Sequence, residues 1–341
     1  MTAPLVSVLM CTYNGIEFLA EAVSDILSQS YSNLELIICD DGSTDGTREW
    51  LREMVTDPRA RIYNQPSNLG YVANKNFALA QAQGTFITQM DQDDRCPHNR
   101  IEVMVRAAEE SGEAIIGSAF DRLLASGERK EGDDLASDIT IHTPPAVGET
   151  YPFWFPSLLI RRDVFDVVGP WDEYFAGIFG DDMYWTVRAN ERFPIRCLRD
   201  HLYAYRDAPT SITKTMDRPR KLVAPGLLER LLQQRRETGT DSLEQGKFAQ
   251  LEAVEQSLLQ DKRYVSEQLR GFAAVAIDHE RFDEAGRMLV RAISLTPWRA
   301  QPYRTALYLV RAKLKFGHDR AIPRVQSGQN SNNNKVASGD A

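Results

Sequence analysis

No stretch of this chain approaches the roughly 20 consecutive apolar residues that cross a bilayer, so no membrane-spanning helix is expected. Cysteine is scarce: Cys11, Cys39, Cys96 and Cys197, with no CxxC pair among them. Cys11 and Cys39 end apolar runs and read as small core residues in a reducing compartment, not as a disulfide framework. The opening MTAPLVSVLMCTYNG has neither a basic leader nor a long apolar segment. The expectation is therefore a cytosolic chain without a signal peptide. Positive charge is in deficit: 40 Lys and Arg face 48 Asp and Glu, a net charge of −8. That argues against nucleic acid, or an anionic membrane, as the main partner. Two phosphate-binding signatures are also missing. No GxGxxG follows the first apolar run and no GxxxxGK[ST] occurs anywhere.

What is present is an ordinary globular composition, 43% hydrophobic and 26% charged over 341 residues, enough for one large domain or two smaller ones. Short apolar runs alternate with helical patterns. LVSVLM, LELIIC, RIYNQ and TFITQM read as strands. Between them, GIEFLAEAVSDILSQS places Leu19, Ala22, Val23, Ile26 and Leu27 on one helical stripe. STDGTREWLREMV reads as a helix with Ser43, Thr44 and Asp45 as candidate caps, and GYVANKNFALAQAQG as a helix ended by Gly84. This alternation predicts an α/β fold with a parallel, doubly wound sheet covered on both faces. NRIEVMVRAAEESG reads as a further helix, EAIIGSAF as a strand, residues 121–150 as a loop, and YPFWFPSLLIRRDVF as an aromatic-rich strand region. GDDMYWTVRANER begins a helix with acids in its first turn. Beyond about 220 the chain reads as helical, and the polar residues 325–341 as a disordered tail.

In open α/β sheets, ligands bind beyond the carboxyl ends of the strands. Three polar segments fall there: CTYN, DDGSTD and DQDD. The last crowds Asp91, Asp93 and Asp94 into four positions. A hard divalent cation such as Mn²⁺ or Mg²⁺ offsets that repulsion and bridges the phosphates of a diphosphate ligand. The crowding is intelligible if the partner is metal plus nucleotide diphosphate.

Taken in order, VSVLMCTYNG, LELIICDDGSTDGT, NLGYVANKNFALAQAQGTFITQMDQDD and GPWDEYFAGIFGDDMYW resemble the successive motifs of family 2 glycosyltransferases of the GT-A fold, over residues 5–215. The resemblance implies an inverting, metal-dependent enzyme acting on a nucleotide-diphosphate sugar, a UDP sugar in particular, and on a glycan or lipid-linked acceptor. It implies that Thr12, Tyr13 and Asn14 hold base and ribose and that Asp41 accepts from the base. Asn68, Gly70, Lys75 and Asn76 match a segment near base and diphosphate, although many relatives carry Arg where this chain has Lys75. Asp91 and Asp93 match the DxD motif for ribose and metal, with Asp94 in support. Asp182 matches the catalytic base, and Asp181 stands where relatives have Glu, as an acceptor-binding or orienting group. Trp171, Tyr174 and Trp185 are candidates either for stacking on acceptor sugars or for the core. A YRxH element whose His helps hold the metal is broken here: Tyr205–Arg206–Asp207–Ala208 lacks the His. Asp207 is then a candidate metal helper and Arg206 a candidate phosphate contact.

The expected division is a catalytic domain over 1–220 and a helical region over 221–324. DHERFDEAGRMLVRAISLTPW resembles a tetratricopeptide-type helix that cannot bury its face alone. RTALYLVRAKLKFG is amphipathic and basic, and suits either a core-packed helix or peripheral contact at the inner face of a membrane. The competing readings are a catalytically inactive GT-A-like scaffold acting through these helices and a nucleotidyltransferase. The intact DQDD and Asp182 favour the enzyme, and the absence of a Gly-rich basic loop after the first strand disfavours the nucleotidyltransferase.

Overall fold

The structure, a computed structural model, describes residues 3–124, 128–132, 135–146, 149, 151–206, 219–279 and 281–321. The tail 325–341 and Asp207 lie outside the described residues. In chain order the first half contains β1 (Val6–Thr12), α1 (Leu19–Leu27), β2 (Leu34–Asp40), α2 (Thr47–Met54), β3 (Ala60–Asn64), α3 (Tyr71–Gln81), β4 (Phe86–Gln89), α4 (Arg100–Ser111) and β5 (Ile115–Leu123). There follow β6 (Arg129–Lys130), β7 (Ile139–Ile141), β8 (Leu159–Arg161), α5 (Arg162–Val168), α6 (Asp181–Asn190) and β9 (Ile195–Arg206). The described residues from 219 onward form helices: α7 (Pro219–Thr238), α8 (Phe248–Gln260), α9 (Lys262–Asp278), α10 (Phe282–Leu295) and α11 (Ala300–Ala321).

Among the described residues nine strands join one sheet, in the order β3-β2-β1-β4-β8-β5-β9-β7, with β6 on β5. The first four pair in parallel, as their alternation with helices requires. Every residue of β2 is buried, and β1 is buried at all but Cys11. Successive side chains of these strands point to opposite faces. Val6, Val8 and Met10 therefore pack with Leu19, Ala22 and Ile26 of α1 and Ile101 and Met104 of α4. Leu9, Ile37 and Cys39 pack on the other face with Val72 and Ala78 of α3 and with Trp171 and Trp185.

The sheet is mostly parallel over β1–β4 and again where β5 pairs with β9, as a mostly parallel GT-A sheet requires, and it is mixed around β8. β8 runs antiparallel to both β4 and β5. The aromatic stretch expected as a strand is mostly other structure: a 3-10 turn at Phe155–Ser157, only three residues of strand in β8, then α5. Residues 121–150, expected as a loop, contain the end of β5 together with β6 and β7. The helix starting at Tyr71 ends at Gln81, short of Gly84.

The chain forms two compact units, Met1–Val265 and Ser266–Ala341. Their boundary lies well beyond the expected one near 220, because α7 and α8 belong to the first unit. Ala224, Leu227 and Leu231 of α7 and Leu251 of α8 bury against Phe175, Ile178 and Tyr184. Within the second unit α10 buries Ala285, Met288, Leu289 and Ala292.

The turn after β2 depends on one glycine. Gly42 has φ +81°, and a Cβ there would lie 2.8 Å from the backbone of Ser67 and Asn68. Both the left-handed backbone and the close approach favour glycine. Gly42→Ala should cost about 1–3 kcal/mol, read as a lowered urea midpoint; an unchanged midpoint would mean that the turn relaxes freely.

Candidate active site

The register of β1 on β2 sets Thr12 beside Asp40, so the polar ends of the two strands leave the sheet together. The loops beyond them are tied to each other. Asn14 adopts a left-handed φ of 49°. Its amide donates to Ser43 Oγ (2.8 Å), and its Oδ1 accepts from the amide of Thr44 (2.9 Å). The amide of Gly15 donates to Thr47 Oγ1 (3.1 Å) and that of Ile16 to Asp45 Oδ2 (3.2 Å). Of the residues expected to cap α2, only Asp45 accepts from Thr47, while Ser43 bridges to the first loop.

Asp41 is buried, with Oδ1 accepting from the amide of Leu69 (2.7 Å) and Oδ2 from that of Gly70 (3.0 Å). It orders the turn that carries exposed Asn68 and starts α3. Burial raises its pKa, against these two hydrogen bonds. Tyr13 is exposed at the end of β1.

A residue that motif reading passed over joins the first loop to the acidic turn. Gln92, the residue between Asp91 and Asp93 in DQDD, accepts from Thr12 Oγ1 (2.6 Å) and from the amide of Tyr13 (3.0 Å). A Cβ on Gly15 would fall 2.1 Å from Gln92 Oε1. The only sequence signal for this was an amide side chain in an otherwise acidic turn.

The three acids of that turn have separate environments. Asp91 Oδ1 accepts from Gln89 Nε2 (2.8 Å), which also donates to Tyr71 Oη (2.6 Å). Asp93 is half-buried, and its carbonyl accepts from Arg206 Nε (2.6 Å). Asp94, expected among the metal ligands, is turned into the fold: Oδ2 accepts from Tyr203 Oη (2.6 Å) and Oδ1 from the amide of Arg206 (2.7 Å). Its pKa lies well above the ordinary carboxylate value, first from burial and then from repulsion by Asp91 and Asp93. Arg206, expected at phosphate, also binds Glu21 Oε2 (2.6 Å) and covers the Phe18 ring. His201 faces Asp121 Oδ1 at 2.5 Å.

Hard oxygen donors of this kind suit Mg²⁺ or Mn²⁺. Gln89 Oε1, on the amide that donates to Asp91, is buried without a hydrogen-bond partner among the described residues. No three acidic, imidazole or thiol side chains among the described residues are grouped to hold an ion by themselves.

The largest departure concerns Lys75. Expected beside the donor diphosphate, its ammonium is fully buried and bonded to Asp181 Oδ2 (2.6 Å) and Asp182 Oδ1 (2.5 Å). It lies over Trp171 at 4.4 Å, Tyr71 at 4.6 Å and Phe155 at 5.4 Å. Trp171 and Trp185, candidates for sugar stacking, are only 2% and 1% exposed. They pack on one another and on Phe165 in the core, and so cannot meet an acceptor in this conformation. Asn76 fixes Trp171 by bonding its amide and carbonyl.

Asp181 and Asp182 open α6 after Gly180, at the end where the helix dipole favours negative charge. Burial and repulsion from Asp181 push Asp182 up to about 7 against the pull of Lys75. Asp91 acts on it as well, so the start of α6 and the end of β4 share one electrostatic field. The far side of α6 is clamped: Tyr184 Oη donates to Asp241 Oδ2 (2.9 Å), and Arg235 binds Asp241 (2.7 Å) and Glu191 (2.6 Å).

Residues 7–169 match the family model described as glycosyl transferase family 2. Over this segment the chain is similar to that family. A glycosyltransferase of Haemophilus influenzae is 39% identical over 103 residues, 30% of this chain and 41% of the relative. UDP-Glc:alpha-D-GlcNAc-diphosphoundecaprenol beta-1,3-glucosyltransferase WfgD of Escherichia coli is 36% identical over 101 residues, 30% of this chain and 40% of the relative. The chain thus spans about two fifths of the length of these curated relatives. Among solved structures, S. aureus TarS 1–349 superposes with a TM-score of 0.55 at 16% identity, covering 91% of each chain. The same protein in complex with UDP-GlcNAc gives 0.51 at 15% identity, covering 90% of this chain and 81% of that one. The fold of this chain is GT-A, an α/β sheet flanked by helices with a C-terminal helical region.

Lys75→Met would leave two carboxylates without their shared cation, a loss of about 3–5 kcal/mol for a buried pair. The sign of its pH dependence follows from Asp182, whose folded-state pKa of about 7 lies above the usual 3.8. Stability from such a group is present at low pH and lost as pH rises through 7. The deficit of Lys75→Met in urea melts should therefore be larger above pH 7 than below it, with partial rescue by Lys75→Arg. A deficit of constant size would show that Lys75 serves packing only.

Proposed function

We propose that the chain is an inverting, metal-dependent glycosyltransferase. It moves a sugar from a nucleotide-diphosphate donor, in the first instance a UDP sugar, to a glycan or lipid-linked acceptor in cell-surface polysaccharide synthesis. The observation that carries this reading is the pair Asp181–Asp182 on buried Lys75, in the field of Asp91 at the end of β4. The family of residues 7–169 and the description of WfgD as acting on UDP-Glc support it, as does the binding of UDP-GlcNAc by TarS.

Asp182 is the base. Its side chain is 30% exposed, so an acceptor hydroxyl can approach, and a carboxylate near neutrality takes a proton effectively. As the proton passes to Asp182, the acceptor oxygen attacks the anomeric carbon. The bond to the diphosphate oxygen breaks on the opposite side, its electron pair leaves with the diphosphate, and the configuration inverts. Lys75 and Asp181 orient the base. Exposed Tyr13 offers an aromatic face to the nucleotide base, beside the Thr12–Asn14 backbone and the turn ordered by Asp41. Mn²⁺ or Mg²⁺, held by Asp93 and Asp91, would supply charge neutralisation to the departing diphosphate.

A panel of nucleotide sugars with either cation tests the reading. The wild type should release nucleotide from one of them, and Asp93→Ala should not. Asp182→Asn should bind the donor normally by calorimetry and lose about 10²–10⁴-fold in transfer rate. The wild-type kcat/KM should fall below about pH 7 as Asp182 protonates. Transfer by Asp182→Asn at the wild-type rate would remove the base assignment.

A further inference from the structure

Helix α11 has two faces, and only one of them is covered. Pro302, Thr305 and Leu309 are buried. Tyr303, Leu307, Val310 and Leu314 recur at i, i+4, i+7 and i+11, so they lie in one stripe. All four are exposed, Leu307 by 61% and Leu314 by 69%. Trp298, just ahead of the helix, is 77% exposed. A row of large apolar side chains facing water marks a contact surface.

The charge beside the stripe says what contacts it. Arg304, Arg311 and Lys315 recur at i, i+7 and i+11 on the adjoining flank, and none has a carboxylate partner among the described residues. Arg299 and Lys313 do, pairing with Glu267 and Asp283. From Trp298 to Lys315 there are five cations and no Asp or Glu, in a chain whose net charge is −8. Positive charge is thus concentrated next to the uncovered apolar row while the chain as a whole is acidic. A second copy of this chain would set the same cations against one another, so self-association on this face is disfavoured.

We propose that α11 lies on the anionic surface of a lipid bilayer. Tyr303, Leu307, Val310 and Leu314 enter the boundary between headgroups and acyl chains. Arg304, Arg311 and Lys315 reach lipid phosphates along their apolar stems, and Trp298 sits at headgroup level. No helix among the described residues is long and apolar enough to cross a membrane, so this contact lies along the surface. The inference is independent of the transferase reading, since it concerns the second compact unit and needs no turnover.

The test uses the full chain and flotation with phosphatidylcholine vesicles, with and without about a third phosphatidylglycerol. The wild type should float with the anionic vesicles and be released by salt. Leu307→Glu with Leu314→Glu should abolish flotation. Arg304→Gln, Arg311→Gln and Lys315→Gln together should weaken it about a hundredfold, at about fivefold per cation. The substituted side chains are exposed, so every variant should keep the wild-type Tm, which separates lost binding from unfolding. Emission of Trp298, isolated by comparison with Trp298→Phe, should shift to the blue only with anionic vesicles. Three results would each overturn the proposal: no wild-type flotation at low salt, flotation unaffected by the Leu307→Glu and Leu314→Glu pair, or a wild-type dimer in sedimentation that the same pair dissociates.

Discussion

A single buried ammonium sets the geometry of the candidate site. Lys75 joins α3 to the start of α6 across 106 residues of sequence. Taking a lysine out of water costs several kcal/mol unless partners compensate. Here two carboxylates bond it, and the faces of Trp171 and Tyr71 lie within 4.6 Å of it. Such cation–π contacts are worth up to about 2 kcal/mol each when desolvated. The aromatic cluster around Trp171 and Trp185 therefore makes burial of the charge tolerable and fixes where the Asp182 carboxylate can be. The loops after β1, β2 and β4 are likewise positioned by one another.

The acidic turn after β4 shows how crowded carboxylates coexist in a folded chain. Asp94 lies between Tyr203 and the Arg206 amide, Asp91 accepts from Gln89, and Arg206 holds the backbone at Asp93. Each acid has its own support, and the turn as a whole is tied to β1 through Gln92. Asp94 is thereby a structural acid, held inside the turn by Tyr203 and the amide of Arg206.

Legibility in the sequence followed the physics of each element. β1 to α4 were readable because a sheet covered on both faces demands continuous apolar strands, while its helices keep an apolar stripe. β8 was not, since three strand residues inside an aromatic stretch have no period to detect. β9 escaped too: exposed Arg199 and Asp200 interrupt it, and its pairing with β5 shifts register after Ser118 and again after Ala119. The polar strand ends were legible at the site as loops of one crevice. The partner of Lys75 was not, because an ion pair this distant in sequence exists only once the fold is made. A lone cation on an α3 face otherwise lined by Val72 and Ala78 was a usable clue to burial, as was an acid pair with no base in its own turn. Trp171 and Trp185 illustrate the opposite limit: an indole suits a core and a sugar equally well, and only tertiary packing decides.

The same trio sets where Asp182 titrates. Lys75, Asp181 and Asp182 together carry one negative charge when all are ionised, and they sit where water screens poorly. Burial and Asp181 both favour a proton on Asp182, while Lys75 opposes it, and the balance falls at about 7. A second carboxylate on the same lysine therefore raises the pKa of Asp182 against the pull of the ammonium, while the shared ammonium holds both carboxylates at the start of α6.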